Sequence, residues 1–312
     1  MKAIVVTEAG GKAQLMEVPT PAPAPGQIRV RLAAAGVNPV DGKSAFGAYG
    51  DGPYPFVPGT DGAGTVDLVG DGVTNFAVGD RVFGRLQVAM GQGTYAEYSL
   101  APEGGVVAPI PAELDFVTAA ALPVAGLTAM GLLEELGLSP GAALLVVGAT
   151  GGVGSFLTQL AARAGLEIIA TADPALAPRM HELGALHTVD HHSAEPLARQ
   201  VRAVRPEGVD ALVDLVGDRL TIIPLLELLP SAAVVLSTAG GADEEVLRAR
   251  GLSGGTYRRQ ATREMLEELG RLVAEGKIRV PLERVLPLTQ GPEVLAESIR
   301  GHLHGKTVLT IP

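Results

Sequence analysis

The sequence predicts an α/β chain in which a doubly wound parallel-sheet domain is inserted into a mostly β domain. Three observations predict it: the length, a change of pattern near residue 123, and strand-like segments that reappear near the end. At 312 residues the chain exceeds the size at which one core stops growing, so two domains of roughly 150 residues are expected. We assign residues 1–122 and 279–312 to the β domain and residues 123–278 to the inserted domain.

The first part of the chain consists of short β-prone runs separated by glycine and proline. The runs are Ala3–Val6, Gln27–Leu32, Gly64–Val69 and Thr94–Leu100. This pattern predicts a partly open β barrel. Residues 19–26 are rich in proline, which fixes φ, so we expect this segment to join two strands in an extended conformation.

From Pro123 onward, apolar runs alternate with segments of helical period, which predicts a parallel sheet. The continuous apolar run Leu144–Val147 is typical of a strand covered on both faces. A long amphipathic helix is predicted from Thr262 to Glu275, and the strand-like segment Gly305–Ile311 is expected to return to the first domain.

Composition excludes several classes of function. With 34 acidic and 24 basic residues the net charge is −10, which would repel nucleic acid. The longest apolar region, Val117 to Leu133, is interrupted by Pro123 and Gly126, so no membrane span is expected. No secretion signal is visible at the start, and we expect a cytoplasmic location. The absence of cysteine removes disulfides, thiol nucleophiles and cysteine-based zinc sites.

A glycine-rich loop between a predicted strand and a predicted helix indicates a dinucleotide site. It matches an A-x-G-x-x-G fingerprint, in which Gly151 would let the backbone approach a pyrophosphate and Gly154 would allow close helix–strand packing. The helix N-terminus would supply free N–H groups. Such a loop is often only a turn, but its position favours cofactor binding. The loop candidates are Ala149, Thr150, Gly151, Gly152 and Val153.

Asp173 follows the next predicted strand, roughly twenty residues further on, as the fingerprint requires. A carboxylate there accepts both ribose hydroxyls of NAD and repels a 2′-phosphate, which favours NADH. The alternative is that Asp173 caps the helix that follows Pro174.

Six segments carry a recognisable pattern: Ala35–Asp41, Pro58–Gly64, Val78–Val82, Gly93–Tyr98, Leu122–Ala129 and Gly151–Gly154. Over nearly its whole length the chain resembles the zinc-independent quinone oxidoreductases, the zeta-crystallin-like branch of the medium-chain dehydrogenase/reductase superfamily. The resemblance implies a Rossmann NAD(P)-binding domain inserted into a GroES-like, mostly β catalytic domain, and a homodimer.

Zinc-dependent relatives place a cysteine where this chain has Asn38 and a histidine where it has Thr60. Without Lewis-acid polarisation, the resemblance implies hydride transfer from NAD(P)H to a quinone or an α,β-unsaturated carbonyl. Two alternatives stay open. One is an enoyl reductase acting on acyl thioesters in a biosynthetic pathway, and the other is a non-catalytic dinucleotide-binding protein.

The resemblance also implies catalytic candidates in a cleft between the domains, near Asn38, Asp41, Lys43, Tyr49 and Thr128. Tyr49 is either a proton-donating or orienting phenol or a wall residue. Lys43 contacts an oxyanion or a cofactor phosphate and pairs with Asp41, or else forms a surface salt bridge. Asn38 is expected to hydrogen-bond the backbone or the cofactor.

Further cofactor contacts implied by the resemblance are Ser237, Thr238, Ala239, Thr256, Tyr257 and Lys306. Most family members prefer NADPH through basic residues that are missing beside Asp173, although His191 or Arg179 could compensate, so NADPH and NADH both stay open. Adjacent strand residues point to opposite faces, so His191 and His192 are not expected to form a metal site.

Overall fold

The computed structural model describes residues 1–47, 53–257, 261–300 and 303–312. The chain divides into two compact units, Met1–Leu127 with Ala261–Pro312, and Thr128–Gln260. Within the described residues, no helix combines the length and the apolar character that crossing a bilayer requires.

The strands, in chain order, are β1 (Lys2–Val5), β2 (Gln14–Glu17), β3 (Gln27–Val37), β4 (Asp61–Val69), β5 (Arg81–Arg85), β6 (Tyr98–Pro102), β7 (Val107–Pro109), β8 (Ala143–Val147), β9 (Glu167–Thr171), β10 (His187–Val189), β11 (Ala211–Asp214), β12 (Val234–Ser237), β13 (Ser253–Thr256), β14 (Leu282–Pro287) and β15 (Lys306–Thr310). The α-helices are α1 (Pro39–Ala45), α2 (Phe116–Ala120), α3 (Pro123–Leu136), α4 (Gly152–Arg163), α5 (Ala177–Glu182), α6 (Leu197–Val204), α7 (Arg219–Leu225), α8 (Glu244–Ala249), α9 (Arg263–Ala274) and α10 (Gly291–Ser298). Short 3₁₀ turns cover Leu226–Leu228 and Leu288–Gln290.

The first unit is built on a seven-stranded sheet with the order β14-β15-β3-β4-β5-β7, and β6 also pairs with β3. Strand β15 runs antiparallel to β3, with Thr307 opposite Val37 and Thr310 opposite Ala34. The prediction that the end of the chain returns to the first domain is therefore confirmed. Inward-facing apolar side chains of these strands form the core, among them Val30, Val82 and Leu309.

The second unit holds a six-stranded parallel sheet with the order β10-β9-β8-β11-β12-β13. This is the doubly wound arrangement, whose strand order reverses between β8 and β11 and leaves a crevice at their carboxyl ends. All five residues of β8 are buried, as a strand covered on both faces requires. The predicted fold class is confirmed.

Helix α9 begins where the sequence predicts, because the side chain of Thr262 accepts a hydrogen bond from the N–H of Met265 at 3.3 Å. Its apolar face, however, packs within the first unit. Gly126 faces Leu269 so closely that a Cβ there would lie 2.3 Å from Leu269 Cδ2. The compact units therefore change at 127/128 and 260/261, whereas the sequence-based boundaries are 122/123 and 278/279. An amphipathic pattern predicts that a face is buried, but not which sheet buries it.

Candidate functional site

The junction between β3 and α1 positions the first group of polar side chains. Strand β3 ends at Val37 and α1 begins at Pro39, whose fixed φ suits the first position of a helix, so Asn38 lies at the turn between them. In the first turn of α1, Asp41 reaches back and its Oδ2 accepts the N–H of Asn38 at 2.9 Å. The local sequence thus brings the two candidates Asn38 and Asp41 together.

Asp41 is enclosed by donors from other segments. Thr60 donates its hydroxyl hydrogen to Oδ1 at 3.1 Å, and Tyr95 donates its phenol hydrogen to Oδ2 at 3.0 Å. Burial, together with the negative charge of Asp61, raises the pKa of Asp41 to about 7. The carboxyl is therefore able to hold or release a proton near neutral pH.

Asp61 and Lys306 form the second half of this group. Asp61 is fully buried and accepts hydrogen bonds from Asn38 Nδ2 at 2.8 Å and from the N–H of Val124 at 3.0 Å. Lys306 donates to Asn38 Oδ1 at 2.6 Å and to Val37 O at 3.0 Å, and its Nζ lies 3.8 Å from Asp61 Oδ2. Burial raises the pKa of Asp61 and lowers the pKa of Lys306. The positive charge of Lys306 lowers the pKa of Asp61, and the negative charge of Asp61 raises the pKa of Lys306, so each charge opposes the effect of burial on the other residue. We call Asn38, Asp41, Thr60, Asp61, Tyr95 and Lys306 the buried polar network.

One expectation about the lysines is wrong, the pairing of Lys43 with Asp41, whereas the cofactor contact of Lys306 stays a prediction. The side chain of Lys43 is exposed while Asp41 is buried, and the expected pair between them is not formed, because residues two apart on a helix point in different directions. Lys306, expected to contact a cofactor, is only 2% exposed, and its ammonium group is directed at Asn38 and Val37. Tyr49 lies outside the described residues.

Three members of the network are not among the predicted site residues: Thr60, Asp61 and Tyr95. All three lie in segments that carry the family resemblance, and Thr60 occupies the position of a zinc-ligating histidine. The useful signal is Asp61, a charged residue that opens the otherwise apolar start of β4. A buried carboxylate requires hydrogen-bond or charge partners, so an aspartate at this position indicates a polar network.

The glycine-rich loop of the second unit has the geometry expected of a dinucleotide cradle. It leaves β8 through Gly148, at φ +85°, and enters α4 with Gly151 as the N-cap. A Cβ on Gly154 would lie 2.5 Å from Ala149 Cα and from Gly148 O, so only glycine allows the helix to pack this closely on the loop. The first N–H groups of α4 have no partner within the helix and are available to an anion. These residues fit a pyrophosphate.

Ser237 orders the neighbouring loop. Its hydroxyl donates to Asp214 Oδ2 at 2.6 Å and accepts the N–H groups of Ala239 at 3.1 Å and Gly241 at 3.0 Å. These bonds use the donor and both lone pairs of a hydroxyl. The hydroxyl of Ser237, expected to contact the cofactor, therefore positions the loop that carries Thr238 and Ala239.

Three more candidates lie on adjoining elements of the second unit. Thr256 ends β13 and is exposed, and the N–H of the following Tyr257 donates to Ser237 O at 2.8 Å. The Tyr257 hydroxyl lies against α3, because a Cβ on Gly131 would be 1.9 Å from it. Thr128 is half-buried on the same helix.

Asp173 lies just beyond β9, as predicted. Helix α5 begins at Ala177 with Leu176 as its N-cap and no side-chain cap, so the helix-cap alternative for the Asp173 carboxylate is wrong. Asp173 Oδ1 is buried and has no hydrogen-bond partner. It lies 3.3 Å from His192 Nε2 and 3.8 Å from His191 Nε2.

The expectation that His191 and His192 point to opposite faces is also wrong. Their ring centroids are 4.1 Å apart, and both rings approach the same carboxylate. The two histidines follow β10 in a turn, where the alternation of strand side chains no longer holds.

Comparison with known proteins gives the family. Residues 24–112 match the family model "Alcohol dehydrogenase GroES-like domain", and residues 183–309 match the model "Zinc-binding dehydrogenase". The chloroplast envelope quinone oxidoreductase homolog of Arabidopsis thaliana is 31% identical over 99% of this chain and 98% of its own. This chain belongs to the quinone oxidoreductase family. Quinone oxidoreductase of Homo sapiens is 33% identical over 70% of this chain and 67% of its own.

Solved structures of this family share the whole fold. The quinone oxidoreductase of Coxiella burnetii superposes with a TM-score of 0.91 at 29% identity, covering 100% of this chain and 99% of that one. The Escherichia coli quinone oxidoreductase, solved with NADPH, gives 0.89 at 27% identity and covers 100% of both chains. These relatives favour the quinone oxidoreductase interpretation over the enoyl-thioester reductase and the non-catalytic protein.

Proposed function

We propose that the protein is an NAD(P)H-dependent oxidoreductase that delivers hydride to a quinone or an α,β-unsaturated carbonyl without a catalytic zinc ion. The observation that carries the proposal is the buried polar network. At the two positions where zinc-dependent relatives have a cysteine and a histidine, Asn38 offers an amide and Thr60 a hydroxyl, and both hydrogen-bond to buried carboxylates. Neither group is a usual ligand of zinc.

The second unit supplies the cofactor site. The N–H groups at the start of α4, from Gly152 and Val153, bind the pyrophosphate, and the absence of a Cβ at Gly154 keeps the loop close to the helix. The bound nicotinamide supplies a hydride. The Asp173 carboxylate accepts the ribose hydroxyls, which favours NADH over NADPH.

The first unit supplies the proton. Hydride addition to a quinone or enone leaves an oxyanion or enolate, which a proton must neutralise. Thr60 is half-buried and hydrogen-bonded to Asp41, whose pKa is about 7. When Asp41 is protonated, Oδ1 carries the proton and donates it to the Thr60 oxygen, so the hydroxyl hydrogen of Thr60 is free to face the acceptor. Thr60 gives that hydrogen as a proton to the reduced acceptor and takes the proton of Asp41, and after the product leaves, solvent returns a proton to Asp41 through Thr60. Tyr95 and the N–H of Asn38 hold Asp41 in place through Oδ2.

The experiment measures NADH and NADPH oxidation with naphthoquinone and with a short enone, in the wild type and in Asp173→Ser. We expect the wild type to prefer NADH. The kcat/KM for NADH divided by the kcat/KM for NADPH should fall about tenfold or more in the variant, because the 2′-phosphate is no longer repelled. Asp71→Ser, which removes an exposed carboxylate from the first unit, is the matched control. Cofactor binding without oxidation by either acceptor would contradict the proposal.

The homodimer and the cytoplasmic location stay predictions. A homodimer is supported by β13, a strand at the end of the six-stranded order whose Ser253, Gly254 and Thr256 are exposed. An edge strand of this kind offers unpaired backbone groups to a second copy. Sedimentation equilibrium tests the state, and a mass equal to one chain at micromolar concentration would contradict the dimer.

A further inference from the structure

We propose that Asp173, His191 and His192 form a binding site for a divalent transition-metal ion, and that the ion competes with the dinucleotide for the Asp173 carboxylate. One carboxylate oxygen and one ring nitrogen from each histidine lie within 4.8 Å of one another. We call these three residues the histidine–aspartate cluster.

The distances within this cluster fit a small, tightly coordinated cation. In a tetrahedral zinc site with bonds of about 2.0–2.1 Å, neighbouring ligand atoms are about 3.3 Å apart. His192 Nε2 lies 3.3 Å from Asp173 Oδ1, and His191 Nε2 lies 3.8 Å from it. The ring nitrogens of His191 and His192 lie within 4.8 Å of each other, so an ion that draws the His191 ring toward Asp173 Oδ1 and His192 would give the three ligands adjacent corners of a tetrahedron.

The absence of a hydrogen bond to Asp173 Oδ1 is a second observation that points to a ligand. This oxygen is buried and makes no hydrogen bond, although two ring nitrogens approach it. A buried carboxylate oxygen without a partner is costly. A cation held between the oxygen and the two nitrogens satisfies all three atoms at once.

Neighbouring residues hold the histidine-bearing turn in place. Gln200, on α6, accepts the N–H of Asp190 at 2.9 Å and donates to Asp190 O at 2.9 Å and to Glu195 O at 2.8 Å. Asp190 Oδ1 also accepts the N–H of His192 at 2.8 Å. The turn is therefore fixed before a metal arrives, which is the role that supporting hydrogen bonds have around metal sites.

The chemistry of the three ligands determines which metal ions bind, and the exposed side chain of His192 lets an ion reach the site. Imidazole nitrogen with one carboxylate suits zinc, copper or nickel rather than magnesium or calcium, which prefer oxygen ligands. The side chain of His192 is 72% exposed, so water can complete the coordination. Because the chain contains no cysteine, no thiolate competes for the ion.

Isothermal titration calorimetry of zinc binding to the chelator-treated, tag-free full chain tests the site directly. We expect one zinc ion per chain. Affinity should fall about tenfold or more in His191→Gln, His192→Gln and Asp173→Asn, because each variant removes one of three ligands. His304→Gln removes an exposed histidine of the first unit and should leave the affinity unchanged. Magnesium should not bind.

Thermal unfolding of each variant confirms that it is folded. Failure of the folded wild type to bind zinc, or equal loss of affinity in His304→Gln, would overturn the site.

Competition with the dinucleotide rests on the proposed function and needs a separate measurement. NADH binding is followed by its fluorescence, with and without saturating zinc. We expect zinc to raise the Kd of NADH about fivefold or more in the wild type, as linkage through one shared carboxylate requires. It should have no effect in a His191→Gln/His192→Gln double variant.

Zinc binding with an unchanged Kd for NADH would overturn the competition. Absence of NADH binding under either condition would instead contradict the proposed function, so the two failures are distinguishable.

Discussion

Thr60 donates a hydrogen bond to Asp41 Oδ1 across 3.1 Å, which connects a half-buried hydroxyl to an enclosed carboxyl. Asp41 has few other routes to the surface, because Tyr95 and Asn38 occupy its second oxygen. In the proposed mechanism the direction of this hydrogen bond reverses when Asp41 is protonated, and the proton passes from Asp41 to Thr60 as Thr60 gives its own proton to the reduced acceptor.

Thr60→Val tests that hydrogen bond with a side chain of the same shape. We expect kcat to fall about tenfold or more with an unchanged Kd for NADH, because the variant loses the proton donor and keeps the cofactor site. Thr60→Ser should restore most of the activity. Thr65→Val, which changes a half-buried threonine on β4, is the control. Full activity in Thr60→Val would remove Thr60 from the mechanism.

The pH profile tests Asp41. A proton donor acts in its protonated form, and the pKa of Asp41 is about 7, so kcat should fall as the pH rises through about 7. Asp41→Asn keeps the shape of the side chain and cannot titrate. The kcat of this variant should be lower than that of the wild type and should not fall as the pH rises through about 7. An identical decline in the variant would assign it to another group.

Asp41 also predicts a pH dependence of stability. Its folded pKa of about 7 exceeds the usual value for aspartate, about 3.9, so the unfolded chain releases this proton first. Between about pH 4 and pH 7 the unfolded state binds fewer protons, and the free energy of unfolding falls as the pH rises. Urea unfolding should show this decline in the wild type and a smaller one in Asp41→Asn. Asp71→Asn is the control, and equal declines in all three proteins would contradict the assignment.

Gly154→Ala tests the cradle of the second unit. The added Cβ would lie 2.5 Å from Ala149 Cα and from Gly148 O, both backbone atoms, so the loop and α4 must separate. We expect a loss of about 1–3 kcal/mol in the free energy of unfolding and a clearly weaker affinity for NADH. Gly104→Ala, whose Cβ meets nothing within 4 Å, should change neither. Unchanged NADH affinity in Gly154→Ala would place the cofactor elsewhere.

Lys306→Met tests whether Lys306 has a structural role or contacts the cofactor. Removing the ammonium leaves Asp61 without its buried counter-charge, so the free energy of unfolding should fall by about 3–5 kcal/mol. The Kd of NADH, measured on the folded fraction, should change little. If NADH binding weakens strongly while stability is preserved, Lys306 contacts the cofactor as the sequence-based interpretation expects.

Much of the second unit could be predicted because its signals are local. The apolar run 144–147, the glycine loop and Asp173 lie within one strand–helix–strand segment, and their spacing reports their relative positions. The partners of Asp173 are not predicted, because the direction of the His191 and His192 rings depends on a turn that periodicity does not describe.

The first unit's network could not be predicted because its members are distant in sequence. Lys306 reaches Asn38 only because β15 pairs with β3, and Tyr95 reaches Asp41 from a third segment. The sequence indicated that β15 returns, but not its register, and register decides which side chains meet. The sequence therefore does not predict the contacts of Lys306 with Asn38 and Val37.

Transfer of a deuterium label separates zinc-free hydride transfer from any reaction that depends on zinc. Chelator-treated protein is mixed with an enone and with NADH or NADPH carrying deuterium at the transferred position of C4, and the product is analysed by NMR. We expect turnover that the chelator does not reduce, with deuterium at the β-carbon of the reduced enone and a solvent proton at the α-carbon. Turnover that requires added zinc, or a product without deuterium, would contradict zinc-free hydride transfer.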